Sequence, residues 1–381
     1  GLSDTEFGWA LSAFALGYAL FQTPSGILAD RFGPRVVLTS VVIFWSLFTG
    51  MTGLAVGFGT LLLARFLFGV GEAGAFPSCA RAFYSWLPVS ERGIAQGINF
   101  SGSRLGAAFA LPLVAAMVTT WGWRSSFIVL AVVGIAWAVF WWAWFKDDPV
   151  DHKSISEPEL KYILDNRQQA DPEEEQAPKL SAGILFGSRN MWLAMTQYFC
   201  SNFTFFFCLT WLFPHLKATY NLTAIETGFY ASAPLIFGAV GNWVAGGLVD
   251  SLYRAGKLKI SRRGPAIVGF ALAAIGLVGS VYADTAFGAV AFLSVAIFGA
   301  DMTLSPSWSF CIDIGRKNSG AVSGTMNMAG NIGSFVTALA FPYLFAWTGS
   351  ATPFFFVGAT LNVIAIGAWL MMQPERRIEA W

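Results

Sequence analysis

Two charges interrupt the apolar run LLLARFLFGVGEAGAFP, residues 61–77, where Arg65 precedes Glu72 by seven positions. Seven residues of helix return to within about 20° of the same face and advance roughly 10 Å along the axis. That spacing is too long for a tight ion pair and suits a relay, in which a cavity-facing carboxylate takes up and releases a proton beside a cation. The plainer alternative is a static buried pair that locks helix packing. Arg104 falls about twelve residues into another apolar segment, near mid-depth of a bilayer-length helix. A guanidinium grips a carboxylate through two parallel hydrogen bonds, so Arg104 is the candidate anion contact. Two other readings stay open for it: a partner for Glu72, or a side chain that snorkels along its helix. Asp301, inside a further apolar segment, is either a second titrating site or a packing partner.

Neutral polar groups recur in the same kind of surroundings. Tyr18 and Gln22 stand one turn apart, Trp308 and Ser309 lie in SPSWSFCIDIG, and Asn327 and Asn331 both lie in GTMNMAGN. An Asn side chain donates and accepts, which suits sugar hydroxyls. A lone membrane Tyr packs as often as it binds. The four cysteines (Cys79, Cys200, Cys208, Cys311) all sit in apolar runs, and with two histidines no metal or disulfide framework is expected. Paired catalytic carboxylates, a nucleophile elbow and a nucleotide loop are all missing, so an enzyme and a bound cofactor are not expected.

Charges at mid-bilayer cost about 2.5–3.5 kcal/mol each on insertion scales, so the elements that carry them must turn them toward a cavity or a partner. With 55% hydrophobic and 12% charged residues, the 381-residue chain is an integral membrane protein. Net charge of +1 supports no nucleic-acid partner. Eleven segments are long enough to span, at roughly 7–28, 36–57, 60–86, 93–118, 124–145, 190–214, 225–249, 264–283, 286–311, 320–347 and 352–373. The charged, Pro-containing stretch after the fifth is a soluble connector. In it Ser156 and Glu159 form a capping box ahead of a short amphipathic helix with Leu160, Ile163 and Leu164 on one side, and Glu173–Glu175 read as a solvated acidic run. If the chain starts outside, nineteen of the 23 Lys and Arg fall in inward loops, the connector and the C-terminus. Only Arg124 and Lys217 face outward, which sets the orientation, with connector and C-terminus cytoplasmic.

The chain also repeats itself. At an offset of about 220 residues, LSDTEFGW overlies LTAIETGF, and Gly26, Leu28 and Asp30 overlie Gly246, Leu248 and Asp250. Beyond the basic loop SLYRAGKLKISRRG the offset becomes about 227, and Gly93, Gly97, Leu105 and Gly106 meet Gly320, Gly324, Ile332 and Gly333. Repeated membrane halves are a transporter signature. The helix at 190–214 has no counterpart in the first copy, so the expected architecture is six plus six spans with the first falling before residue 1; a genuine eleven-span protein is the alternative and would break the pseudo-symmetry. By this repeat Asn331 stands where Arg104 stands in the first half.

In GILADRFGPR, the residues Gly26, Leu28, Asp30, Arg31, Gly33 and Arg35 resemble the loop motif between the second and third helices of the major facilitator superfamily. Physically it is a cytoplasmic latch: Asp30 caps and charge-pairs across neighbouring helix ends, the glycines allow a tight turn, and Asp250 is its copy. An ordinary basic turn is the alternative. More narrowly, EFGWALSAFALGYALFQTPSGILADRFG, LARFLFGVGEAGAFP, ERGIAQGINFSGSRLG, WGWRSSF and SGTMNMAGNIGS are similar to the anion:cation symporter branch, which includes bacterial importers of hexuronates, galactonate and glucarate. The resemblance implies an all-α fold of two pseudo-symmetric bundles with 11 of 12 spans present: 1–146 the N-terminal bundle, 147–189 the connector, 190–381 the C-terminal bundle. It implies an inner-membrane monomer that imports a small organic anion with protons by alternating access. It places Glu72 at the family's proton-coupling glutamate, Arg65 at its companion arginine and Tyr18 at a substrate-facing tyrosine. Ser103 replaces a glutamine that contacts substrate in galactonate-type members, which leaves the sugar acid open.

Three other functions compete with this one. Uptake of another carboxylate, aromatic or tartrate-like, fits the same residues. A non-transporting membrane sensor on this fold would need a ligand cavity without a proton path. Efflux is disfavoured, because GAAFALP stands where antiporters of the superfamily carry a Gly-rich run ending in Gly-Pro.

Overall fold

Fifteen helices carry the described secondary structure of the computed structural model, which describes residues 4–168 and 180–378; the acidic run at Glu173–Glu175 lies outside them. In chain order they are α1 Asp4–Phe32, α2 Pro34–Gly53, α3 Phe58–Glu72, α4 Ala75–Trp86, α5 Arg92–Trp144, α6 Glu157–Asn166, α7 Ala182–Gly187, α8 Arg189–Thr210, α9 Leu212–Tyr220, α10 Ala224–Arg254, α11 Leu258–Val281, α12 Ala286–Met302, α13 Leu304–Gly315, α14 Ser319–Thr348 and α15 Thr352–Met371. The eleven expected spans are all helical, and several are broken rods.

Three of the breaks share one cause. Pro77, Pro214 and Pro306 have no N–H to offer the carbonyls of Ala73, Thr210 and Met302, four residues before each, and α3, α8 and α12 stop at or beside those carbonyls. The next N–H resumes the ladder, from Ser78 to Gly74, His215 to Trp211 and Ser307 to Thr303. At the second break the rod bends by 57°, so the span expected at 190–214 continues past its bend to Tyr220. Pro24 and Pro234 sit inside α1 and α10 without breaking them, so a proline alone does not suffice. A different device divides α5: Gly122 has φ 78°, in the left-handed region, and separates the two spans expected at 93–118 and 124–145.

Seven helical stretches, or eight with the bent pair, are long and apolar enough to cross a bilayer among the described residues, and one of them, Ala286–Thr348, is long enough for two. Large side chains such as Val56, Phe229 and Trp347 are exposed, the arrangement of a protein whose outer solvent is hydrocarbon. The expected connector helix is present as α6, with the Ser156 hydroxyl accepting from Glu159 N and Ile163 buried. One boundary differs from expectation: α11 begins at Leu258, so Lys259, Arg262 and Arg263 belong to its first two turns and not to a loop.

Two compact units make up the chain. The first comprises 1–89, 107–180 and 315–328, where α3 packs on α1 and α2. The second comprises 90–106, 181–314 and 329–381, where α12 packs on α10 and α11, and α15 on α8 and α11. The first fifteen residues of α5 thus belong to the second unit, and the first ten of α14 to the first.

Candidate functional site

In the first unit, Glu72 is the last residue of α3, at the break that Pro77 imposes. Gly71 and Gly74 let the rod press on Phe44, Trp45, Val41 and Ser25, while Glu72 and Arg65 line one cavity of about 320 Å³ with Trp45, Ser46, Thr49, Phe68, Phe127 and Leu130. The expected shared face is therefore real. Neither residue takes part in an ion pair among the described residues, so the static-pair alternative is not what forms. Arg65 instead lies 5.2 Å from the ring centres of both Phe14 and Phe68, a cation held by aromatic faces. Trp45, Ser46 and Thr49 had not been expected in the lining. The buried Ser46 hydroxyl has no hydrogen-bond partner among the described residues, a polar atom left over beside the acid.

Gln22 and Asn327 meet directly in the same unit, Asn327 Nδ2 donating to Gln22 Oε1 at 2.7 Å, with Thr23 and Thr325 paired beside them at 3.1 Å. Gln22 is fully buried and its amide nitrogen has no partner among the described residues. Tyr18, one turn earlier, is half-buried and stacks on Phe14.

The second unit holds Arg104, and its partner is not Glu72. Arg104 Nε and Nη2 donate to the two carboxylate oxygens of Asp301 at 3.0 and 2.9 Å, and its guanidinium lies 3.7 Å from the centre of the Phe205 ring. Both the Glu72 pairing and the snorkelling weighed for Arg104 give way to this fork, and Asp301 gains a partner that the sequence had not named. Nearby, Trp308 is buried, donates from Nε1 to Tyr198 Oη at 2.8 Å and packs on Phe100. Ser309 is buried and its hydroxyl has no partner among the described residues, Ser103 is exposed, and Asn331 is half-buried.

The latch residues form two copies of one contact. Both Asp30 oxygens accept from backbone N–H groups in the first turn of α14, Gly320 at 2.8 Å and Ala321 at 2.7 Å, with Arg81 3.9 Å away. Asp250 does the same for the first turn of α5, accepting from Gly93 and Ile94 at 2.7 Å each. A carboxylate on the N-terminal N–H groups satisfies orphan donors and meets the positive end of the helix dipole. Gly26 and Gly246 make the approach possible, since a Cβ on either would strike the Gly320 or the Gly93 carbonyl. Gly26→Val and Gly246→Val are each expected to cost about 1–3 kcal/mol of stability, read as a lowered Tm in detergent. Gly33 turns the chain into α2 at φ 83°, Arg31 is exposed, and Arg35 is held by Asp147 and the Trp142 carbonyl.

A buried charge cluster had escaped the sequence reading. Asp313 accepts from Arg92 Nη1 at 2.9 Å and from Arg262 Nε at 2.7 Å, both arginines being 0% exposed.

Comparison with known proteins gives this geometry a family. The description "Major Facilitator Superfamily" matches residues 1–338. The chain belongs to the major facilitator superfamily. Among its relatives, the probable sulfoacetate transporter SauU of Cupriavidus necator is 36% identical over all of this chain and 88% of its own length. The probable galactarate/D-glucarate transporter GudP of Bacillus subtilis is 32% identical over 99% of this chain and 86% of its own. A solved structure of the proton:xylose symporter XylE superposes with a TM-score of 0.78 at 13% identity, over 100% of this chain and 90% of that one, which supports the fold. This superfamily member is accordingly a multi-pass membrane transporter, built of helices as expected.

Proposed function

We propose that the protein is a proton-coupled importer of a small organic anion, working by alternating access in the inner membrane as a monomer. The observation that carries this reading is the shared cavity of Arg65 and Glu72, a cation and an acid that face one space without forming an ion pair. An acid so placed titrates with what enters the cavity. In the second unit Arg104 serves as the anion contact, with Ser103, Trp308, Ser309 and Asn331 as its polar and aromatic complement; in the first unit Tyr18, Gln22 and Asn327 serve as substrate-binding groups. Each aspartate cap latches helix ends within its own unit on the cytoplasmic side, and the connector and C-terminus lie in the cytoplasm, as the distribution of Lys and Arg supports.

A sugar acid is the first reading of the substrate, given the galactarate/D-glucarate relative. The sulfoacetate relative favours a second, a short acid bearing a sulfonate. Both present an oxyanion that a guanidinium fork recognises. The test is uptake of labelled D-glucarate, D-galactonate and sulfoacetate by the full-length protein in proteoliposomes with an imposed pH gradient. Accumulation that collapses with the gradient supports symport, whereas gradient-independent exchange removes it, and saturable binding without uptake points to a sensor. Arg104→Lys keeps the charge and loses the fork; its KM is expected to rise about tenfold with little change in kcat.

A further inference from the structure

Arg104 and Asp301 form a pair whose two members differ in access. The Asp301 side chain is 1% exposed and that of Arg104 is 16% exposed, so an entering molecule reaches the cation and not the acid. The Asp301 carboxylate uses both oxygens on Nε and Nη2 of one edge of the guanidinium. No other hydrogen bond to Arg104 is found among the described residues, which leaves Nη1 to a second oxyanion. The acid is seated where a Cβ at Gly238 would collide with it, so α10 gives up a side chain to make room for this carboxylate.

The surroundings leave the pair to balance its own charge. Tyr198 and Cys208 of α8 feel its field, and both side chains are ordinarily neutral near pH 7. From α11, Gly269 packs at this level against Gly299 and Met302. The basic residues of α11 end at Arg263, roughly 9 Å further along the axis. Of these, Arg262 is committed to Asp313.

Resting on the importer reading above, we propose that Asp301 is a second proton-carrying residue: the substrate's carboxylate or sulfonate joins Arg104 beside Asp301, and a proton on Asp301 accompanies it. The pair alone is neutral. With a bound monoanion it carries one negative charge in a poorly screened setting, and one proton on Asp301 restores neutrality. Anion and proton therefore assist each other's binding, and by linkage each does so to the same extent. No covalent bond changes. The proton enters a carboxylate oxygen of Asp301 that had accepted from Arg104, and the freed guanidinium edge turns to the substrate.

The test separates Asp301 from Glu72 by using a Glu72→Gln background. In this variant the apparent affinity for D-galactonate, a monoanion, measured by counterflow in proteoliposomes, is expected to weaken with rising pH. The slope approaches about tenfold per unit for one linked proton. Adding Asp301→Asn is expected to flatten that slope to within about twofold, and Asp301→Glu to restore it. A slope that survives Asp301→Asn overturns the inference. A second readout needs no Asp301 variant: in unbuffered detergent solution, adding the anion to the Glu72→Gln protein draws about one proton per anion bound, followed with a pH indicator, and no uptake overturns the inference. Failure of the wild type to bind or exchange any of the anions overturns the importer reading and this inference with it. Wild-type transport with a flat Glu72→Gln profile overturns only the role of Asp301.

Discussion

Glu72→Gln is expected to lower steady-state substrate accumulation about tenfold for each pH unit of imposed gradient, while counterflow in the absence of a gradient persists. The magnitude is the free energy of one coupled proton, since one pH unit amounts to about 1.4 kcal/mol per proton carried. Gln keeps the shape of the side chain and cannot titrate, so it removes the proton and little else. Two features of the site make a selective loss the expected outcome. Glu72 ends α3 at a break that Pro77 already imposes, so its carboxylate is not required to hold the rod together. It also has no ion-pair partner among the described residues, so no cation is stranded by its loss; Arg65 stays between Phe14 and Phe68. Undiminished accumulation in Glu72→Gln would remove the residue from coupling. Loss of counterflow together with accumulation would make it a substrate or packing residue instead.

What the sequence disclosed follows from how local each signal is. The face shared by Arg65 and Glu72 needed only helical spacing. The double latch needed only the repeat, which set Asp30 against Asp250 and Gly26 against Gly246, and the structure gives each pair the same helix N-terminus to cap. Helix breaks at Pro77, Pro214 and Pro306 were equally present in the sequence, but Pro24 and Pro234 pass through intact helices, so packing decides which prolines interrupt. Pairings between distant helices left no periodic trace. Arg104 meets Asp301 across 197 residues, and Arg92 meets Asp313 across 221. The usable signal was Asp313 itself, an acid in the apolar stretch CIDIG whose burial demands a cation by the reasoning applied to Glu72. Its partners went unrecognised because Arg92 and Arg262 sit at helix starts and read as loop bases. Trp45, Ser46 and Thr49 were missed for a related reason: α2 reads as an apolar span, and which of its faces meets a cavity depends on α3 and on the second part of α5.

Asp313→Asn is expected to be among the most destabilising single substitutions in the molecule, by about 3–5 kcal/mol, because it removes the one carboxylate charge that two buried guanidinium groups share. Arg92 and Arg262 are fully buried and both lean on the same carboxylate, so neither can recover its lost partner by turning to water. The comparison with Asp250→Asn separates two kinds of acid. Asp250 accepts from two backbone N–H groups, whose loss costs about 1.5–3 kcal/mol as charge-assisted hydrogen bonds but leaves no unpaired charge behind. Asp284, exposed at the start of α12, sets the baseline, and Asp284→Asn is expected to change stability by under about 0.5 kcal/mol. Thermal unfolding in detergent should therefore rank the three as Asp313, Asp250, Asp284 in falling order of lost Tm. Replacing the cluster as a whole, with Arg92→Gln and Arg262→Gln added to Asp313→Asn, should recover part of the loss, since no charge is then left buried without a counter-charge. A triple variant less stable than Asp313→Asn alone would show that the two arginines hold the fold through their packing, and that the stranded charge is not what destabilises it.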